Sequence, residues 1–160
     1  MDTKNNILGI TPAEGQVLSI AGGSYRIVIS GAQTNGEFAV IEMSVPPNAG
    51  PIPHAHADIH ETFYVLAGEV VFNTDGGSFL AQTGAFINIP KGGAIHNFKN
   101  TSAQPAKLLC TVYPAGMDVM FAESAAYFAQ NPNASEMDRK KYMAQLAEKY
   151  GTTLHPTHSF

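Results

Sequence analysis

The chain has 160 residues, including 15 glycines, 10 prolines and a single cysteine, and carries a formal charge of -4. That length suits one domain, since domains most often run to about 100–150 residues, and the glycine and proline content favours many turns between short strands. The nine basic residues are scattered apart from Arg139, Lys140 and Lys141, which excludes a phosphate-tracking surface and with it a nucleic-acid partner.

Gln16 to Tyr113 reads as short β-branched and aromatic runs between turn clusters, the pattern of a sandwich or barrel. In chain order the expected strands are Gln16 to Ile20, Tyr25 to Ser30, Glu37 to Val45, Glu61 to Leu66, Glu69 to Asn73, Ser78 to Ala81, Ala85 to Ile89, Ile95 to Lys99 and Lys107 to Tyr113. Asn35-Gly36 and Asp75-Gly76 are hairpin signals, because left-handed backbone costs these residue types little. Cys110 lies in the apolar run Leu108 to Val112 and reads as a buried, inert thiol. After Pro114 the period changes: Met117, Phe121, Ser124 and Phe128 sit three or four apart, as do Met143, Leu146 and Tyr150, which predicts two amphipathic helices. Ser135 is placed to cap the second, and Gly151 to stop it. The expected division is a barrel over 1–114 with its motifs in 50–100, a helical extension over 115–151 and a flexible tail over 152–160, where His155 and His158 are read as solvated. Met1 to Ile10 lacks the basic and apolar segments of a leader, and no apolar run approaches the roughly 18–20 residues of a membrane span; a cytoplasmic protein with no membrane partner is expected.

Three of the six histidines fall within His54-Ala55-His56-Ala57-Asp58-Ile59-His60, immediately before Glu61. Residues two apart in a strand face the same way, so His54 and His56 can offer two imidazoles to one point. Imidazole suits Zn, Cu, Fe or Ni, and a carboxylate beside it hardens the site toward Fe(II) and Mn(II). Parity leaves two sets open. An unbroken strand would put His54, His56, Asp58 and His60 on one face; a corner over Ala57 to His60 would reset parity and turn Glu61, Phe63 and Val65 inward. The corner is preferred because Glu61 opens the next apolar run. Asp58 and His60 then either hydrogen-bond to a ligand or stand exposed at the corner.

From Gly50 the sequence reads GPIPHAHADIHETFYVLAG, which resembles the first cupin motif, and GAFINIPKGGAIHNFKN from Gly84 to Asn100 resembles the second. One departure stands out: three residues separate Gly92 from His96 where the usual pattern has two, so either Gly93 takes the role or the turn carries an insertion. The resemblance covers about Phe38 to Val112. It implies an all-β cupin barrel (double-stranded β-helix, or jelly roll) with the two α-helices appended, and metal ligation by His54, His56, Glu61 and His96. Gly68 and Pro90 would be structural, and Asn100 a turn or strand-end hydrogen-bonding residue. It further implies one divalent transition metal per chain (Fe, Mn, Ni, Zn or Cu, not distinguished), a small-molecule substrate and a homodimer.

Three imidazoles and one carboxylate leave open positions on a six-coordinate metal, and the chain is similar to the quercetinase-like dioxygenase group. The expected activity is therefore dioxygenation of a small aromatic or otherwise apolar oxygenated substrate. Glu61 would be the catalytic proton acceptor, and Phe63, Val65, Phe98 and Met43 the apolar substrate-binding wall. A metal-dependent isomerase and a non-catalytic ligand-binding barrel are the alternatives. The two arginines lie outside the motifs, which disfavours a sugar-phosphate isomerase, although Arg26 on its strand is the one that could reach inward.

Overall fold

The computed structural model describes residues 7–20 and 22–160, so the first six residues of the segment Met1 to Ile10 lie outside it. Period-two burial organises the chain. In Ala39–Val45 (β3), Ala39, Ile41, Met43 and Val45 are buried while their neighbours are half-exposed. The same alternation buries Glu61, Phe63 and Val65 of His60–Ala67 (β5) and Ala106, Leu108, Cys110 and Val112 of Ala106–Tyr113 (β10). The other strands are Gln16–Ile20 (β1), Gly23–Ile29 (β2), His54–His56 (β4), Glu69–Thr74 (β6), Gly77–Gln82 (β7), Phe86–Ile89 (β8), His96–Lys99 (β9) and Thr152–Leu154 (β11). They form two antiparallel sheets, ordered β1-β2-β3-β10-β5-β8 and β11-β4-β9-β6-β7. The inner faces pack as a jelly-roll barrel, with Phe63, Phe72 and Phe98 meeting at ring-centroid distances of 5.3, 5.5 and 5.6 Å.

The two hairpin signals resolve differently from expectation. Asn35 and Gly36 take left-handed backbone (φ 54° and 84°), but they end a 3-10 turn over Gly31–Thr34 and do not close a two-residue hairpin. Gln33 reaches back to accept from the Ser30 N–H at 2.9 Å and winds the chain into that turn. Asp75-Gly76 does join β6 to β7, with Thr74 opposite Gly77, yet the left-handed position is Gly77 at φ 119°.

Two helices, Met117–Gln130 (α1) and Glu136–Lys149 (α2), follow β10. Buried Asp118 fixes the start of α1 by accepting from the N–H groups of Gly31 at 2.8 Å and Gly116 at 3.0 Å. Ser135 caps α2 by accepting from the Asp138 N–H at 3.1 Å, and Gly151, at φ 71°, ends it. The helices stack Tyr127 on Tyr142 at 3.7 Å. α1 lies against β1 and β3, and α2 against β11.

The segment expected as a tail from Thr152 begins instead as β11, which pairs with β4 in the register Thr152 to His56, Thr153 to Ala55 and Leu154 to His54. The physical reason is the free edge of β4, whose backbone groups need partners that three residues of extended chain supply. Beyond it, the His155 N–H donates to the Pro53 carbonyl at 2.8 Å and His158 Nε2 meets Asp75 Oδ1 at 2.8 Å, so both histidines are held against the barrel.

Candidate metal centre

The chain turns its chemistry inward through one corner. β4 ends at His56, residues 57–59 form the bend, and β5 starts at His60, one residue before the expected restart. Two glycines pin the bend from across the barrel: the Gly92 N–H donates to the Ala57 carbonyl at 2.9 Å and the Gly93 N–H to the His56 carbonyl at 3.1 Å. Both have positive φ, 121° and 79°, so the turn with its extra residue uses both of them. The reset of parity puts Glu61 inside, 1% exposed, while Asp58 stands exposed. His60 leaves the site to meet Asn88 Oδ1 at 2.6 Å.

β4 pairs with β9 at His54 and His96, which sets those two imidazoles side by side with ring centroids 4.4 Å apart. His56 lies 5.0 Å from His54 and 5.7 Å from His96 by the same measure. Glu61 faces them from the other sheet, with Oε2 3.2 Å from His96 Nε2 and 3.6 Å from His56 Nε2. One donor atom from each of His54, His56, Glu61 and His96 falls within 4.8 Å of the others, so the structure brings together the four residues named from the motifs.

Burial and charge work against each other here. Burial, then the neighbouring His96, pushes His54 down to about 4, and Glu61 and the Ile52 carbonyl only partly oppose this. His56 is likewise held below its ordinary value, chiefly by burial. For His96, burial is outweighed by the hydrogen bond and charge of Glu61 and by the Ala94 carbonyl, so its imidazolium is favoured. Burial pushes the Glu61 carboxyl up, but the hydrogen bond with His96 and the three imidazoles hold it below the usual range. A carboxylate therefore faces two neutral imidazoles and one that is readily protonated, a donor set suited to a divalent transition metal.

The ring orientations fit that occupant. His54 Nδ1 lies 2.9 Å from the Ile52 carbonyl and His96 Nδ1 2.8 Å from the Ala94 carbonyl, leaving each Nε2 directed at the cluster. Buried His56 Nε2 has no hydrogen-bond partner among the described residues. An unpartnered nitrogen buried beside a carboxylate costs free energy that a cation would recover.

The cluster opens onto a cavity of about 910 Å³ whose walls are mostly apolar. Met43, Phe63 and Phe98 line it. Val65 does not: it lies farther along β5, fully buried and bonded through its backbone to Gly84 and Ala85, so it fills the core instead. Arg26 also departs from expectation, because its guanidinium binds Glu42 Oε2 at 3.2 Å and the Glu14 carbonyl at 3.0 Å and so is taken up outside the site.

Several contributors escaped the sequence reading. Met117, Met120, Phe121 and Ser124 of α1 and Met143 and Ala147 of α2 wall the cavity, so the helices cover the barrel mouth as well as packing against it. Their spacing showed an apolar face but not what it covers. Tyr25 edges onto Phe121 at 5.1 Å and lines the same space. Cys110, read correctly as buried, lies with Sγ 3.4 Å from Glu61 Oε1; burial, then the Glu61 charge, pushes its pKa up and keeps it a neutral thiol. Asn100 acts at the strand end, its amide donating to the carbonyls of Val45 and Gln104 at 3.0 and 2.7 Å.

The two antiparallel sheets and the inward-facing His3Glu set define a jelly-roll barrel with a metal-binding type of cluster. Residues 41–112, a little under half of the chain, match the family described as Cupin domain. It is 30% identical over 86 residues to "Quercetin 2,3-dioxygenase" of Bacillus subtilis (strain 168), covering 54% of this chain and 25% of that protein. The chain thus spans a quarter of the length of this curated relative. Among solved structures it is similar to KdgF from Halomonas sp. (TM-score 0.62, 15% identity, 71% of this chain and 99% of that one). It is also similar to the polyketide cyclase RemF from Streptomyces resistomycificus (TM-score 0.59, 22% identity, 68% and 80%). At these identities the structural likeness establishes the fold.

Proposed function

We propose that His54, His56, Glu61 and His96 hold one divalent transition metal and that the protein is a metal-dependent dioxygenase of a small aromatic or otherwise apolar oxygenated molecule. The observation that carries this reading is the position of the cluster in the wall of an apolar cavity of about 910 Å³, where a substrate oxygen can approach it. On a six-coordinate metal these four protein ligands leave two positions free, whereas on a tetrahedral ion the same four would close the site. Bound here, a redox-active metal would supply a Lewis-acid site for the substrate oxygen and redox chemistry with dioxygen. The likeness to the quercetin dioxygenase over 86 residues supports the same choice.

The protein's own part is positioning and proton handling. Phe63, Phe98 and Met43 grip an apolar ring, and the helices screen it from water. Besides ligating the metal, Glu61 would accept the proton of a substrate hydroxyl, with Cys110 Sγ 3.4 Å from its Oε1. Arg139 and Lys140 of α2 lie at the cavity wall, but Arg139 is bonded to the carbonyls of Pro132 and Ala134 at 2.8 and 3.0 Å, Lys140 pairs with Glu136 and Arg26 with Glu42, so no free guanidinium clamp is offered to a sugar phosphate.

Metal analysis of protein purified without chelators, followed by oxygen-uptake assays with catechols and flavonols, tests the reading. Metal-dependent oxygen consumption is expected. Tight ligand binding without turnover would assign a non-catalytic binding role, and conversion without oxygen uptake an isomerase. The reading includes a homodimer, supported by the exposed Tyr64, Leu66 and Phe86 along the β5–β8 edge, and a monomer in light scattering would remove that part. A cytoplasmic setting belongs to it as well; among the described residues no helix is long and apolar enough to cross a membrane.

A further inference from the structure

The three imidazoles are not oriented in the same way. His54 and His96 each place Nδ1 against a backbone carbonyl two residues earlier, so their own strands set their rotation. The contact made by His56 Nδ1 comes from elsewhere: Thr152 Oγ1, at 3.0 Å and 96 residues away in sequence. Thr152 is 6% exposed and sits directly opposite His56 in the β11–β4 register. It lies outside residues 41–112, the part of the chain that matches the cupin domain.

We propose that Thr152 is a positioning residue of the metal centre, supplied by the C-terminal strand. Its hydroxyl oxygen accepts the His56 Nδ1–H, which fixes both the ring rotation and the tautomer, so that Nε2 presents a lone pair to the cluster. The other tautomer would place a buried N–H on Nε2, which has no hydrogen-bond partner among the described residues, Glu61 Oε2 lying 3.6 Å away. A buried donor without an acceptor is costly, whereas a bare nitrogen lone pair is what a metal binds. β11 adds a second constraint, because β4 has three residues and its pairing with β9 is confined to His54 and His96. Closing the free edge of β4 holds two of the four donors at once. The inference rests on the metal-site reading above.

The test uses the full chain and Co²⁺ as the probe. Thr152→Val keeps a β-branched residue in the strand and removes the hydroxyl; Thr152→Ser keeps the hydroxyl. Loss of such an orienting partner weakens metal binding by about 10–100-fold. Thr152→Val is expected to lose affinity in that range and to change the Co²⁺ absorption spectrum, while Thr152→Ser restores both. His96→Ala is the control for the site itself. If it binds Co²⁺ like the wild type, the metal-site reading fails. If it loses binding while Thr152→Val does not, the site stands and the role of Thr152 is overturned. Should Thr152→Val not fold, ring ¹⁵N shifts of His56 in the metal-free wild type decide: a proton on Nδ1 is expected, and a proton on Nε2 refutes the proposal.

Discussion

Replacing Glu61 by glutamine should reverse the acid–base character of His96. In the wild type, His96 Nε2 and Glu61 Oε2 lie 3.2 Å apart with both side chains 2% exposed. At an effective dielectric of about 20 the attraction of such a charge pair is about 5 kcal/mol, much of it offset by desolvation. A hydrogen bond to a charged group is worth a net of about 1.5–3 kcal/mol and a neutral one about 0.5–1.5. The glutamine variant therefore loses about 1–2 kcal/mol of preference for the imidazolium, which at about 1.4 kcal/mol per pH unit lowers the His96 pKa by about one unit. Burial then dominates, as it does at His54, which it pushes down to about 4.

The linkage sign follows from these directions. In the wild type His96 is raised, so its stabilisation is fully present below the unfolded histidine value and is lost as pH rises through the folded one. In the variant it is depressed, so the protein loses stability as pH falls below about 6.5. Glu61 is itself lowered, so its own contribution is lost only as pH falls through a value below the usual carboxylate range. Histidine-ring NMR titration of metal-free protein, with thermal unfolding at about pH 5.5 and 7.5, reads both effects while staying above the Glu61 transition. A His96 that titrates at or above its wild-type value in Glu61→Gln would refute the reasoning.

Three more expectations follow from the same geometry. Co²⁺ affinity of the wild type should fall as pH is lowered through the raised His96 pKa, because the metal must displace that proton; a titration flat between about pH 7.5 and 5.5 would contradict this. Ala147→Phe projects a ring from α2 into the cavity and should weaken binding of an apolar fluorescent probe while leaving Co²⁺ affinity unchanged; loss of metal instead would mean that α2 supports the cluster directly. His96→Ala should abolish metal binding and any turnover but keep the wild-type circular dichroism, since Phe63, Phe72, Phe98 and their neighbours supply the buried area; unfolding would move the metal to a structural role.

What the sequence determined by itself was local. Period-two burial in β3, β5 and β10 is written in alternating residue types, so the strands and their inward faces were legible. The four donors were legible because two motifs carry them, and the choice of Glu61 over His60 followed from reading a corner over Ala57 to His60, which the structure shortens by one residue. Contacts between segments far apart in the chain belong to the tertiary structure. Thr152 carries no signal toward His56, since a three-residue strand is too short for periodicity and its role arises only where β11 meets the edge of β4. Cys110 could be read as buried but not as facing Glu61, because the pairing of β5 with β10 sets that neighbour. Val65 and Phe63 share inward parity, and only the closed barrel decides that Phe63 meets the cavity while Val65 fills the core. Alternation fixes which face a side chain takes; how deep it lies and what it meets there depend on chain packing across tens of residues.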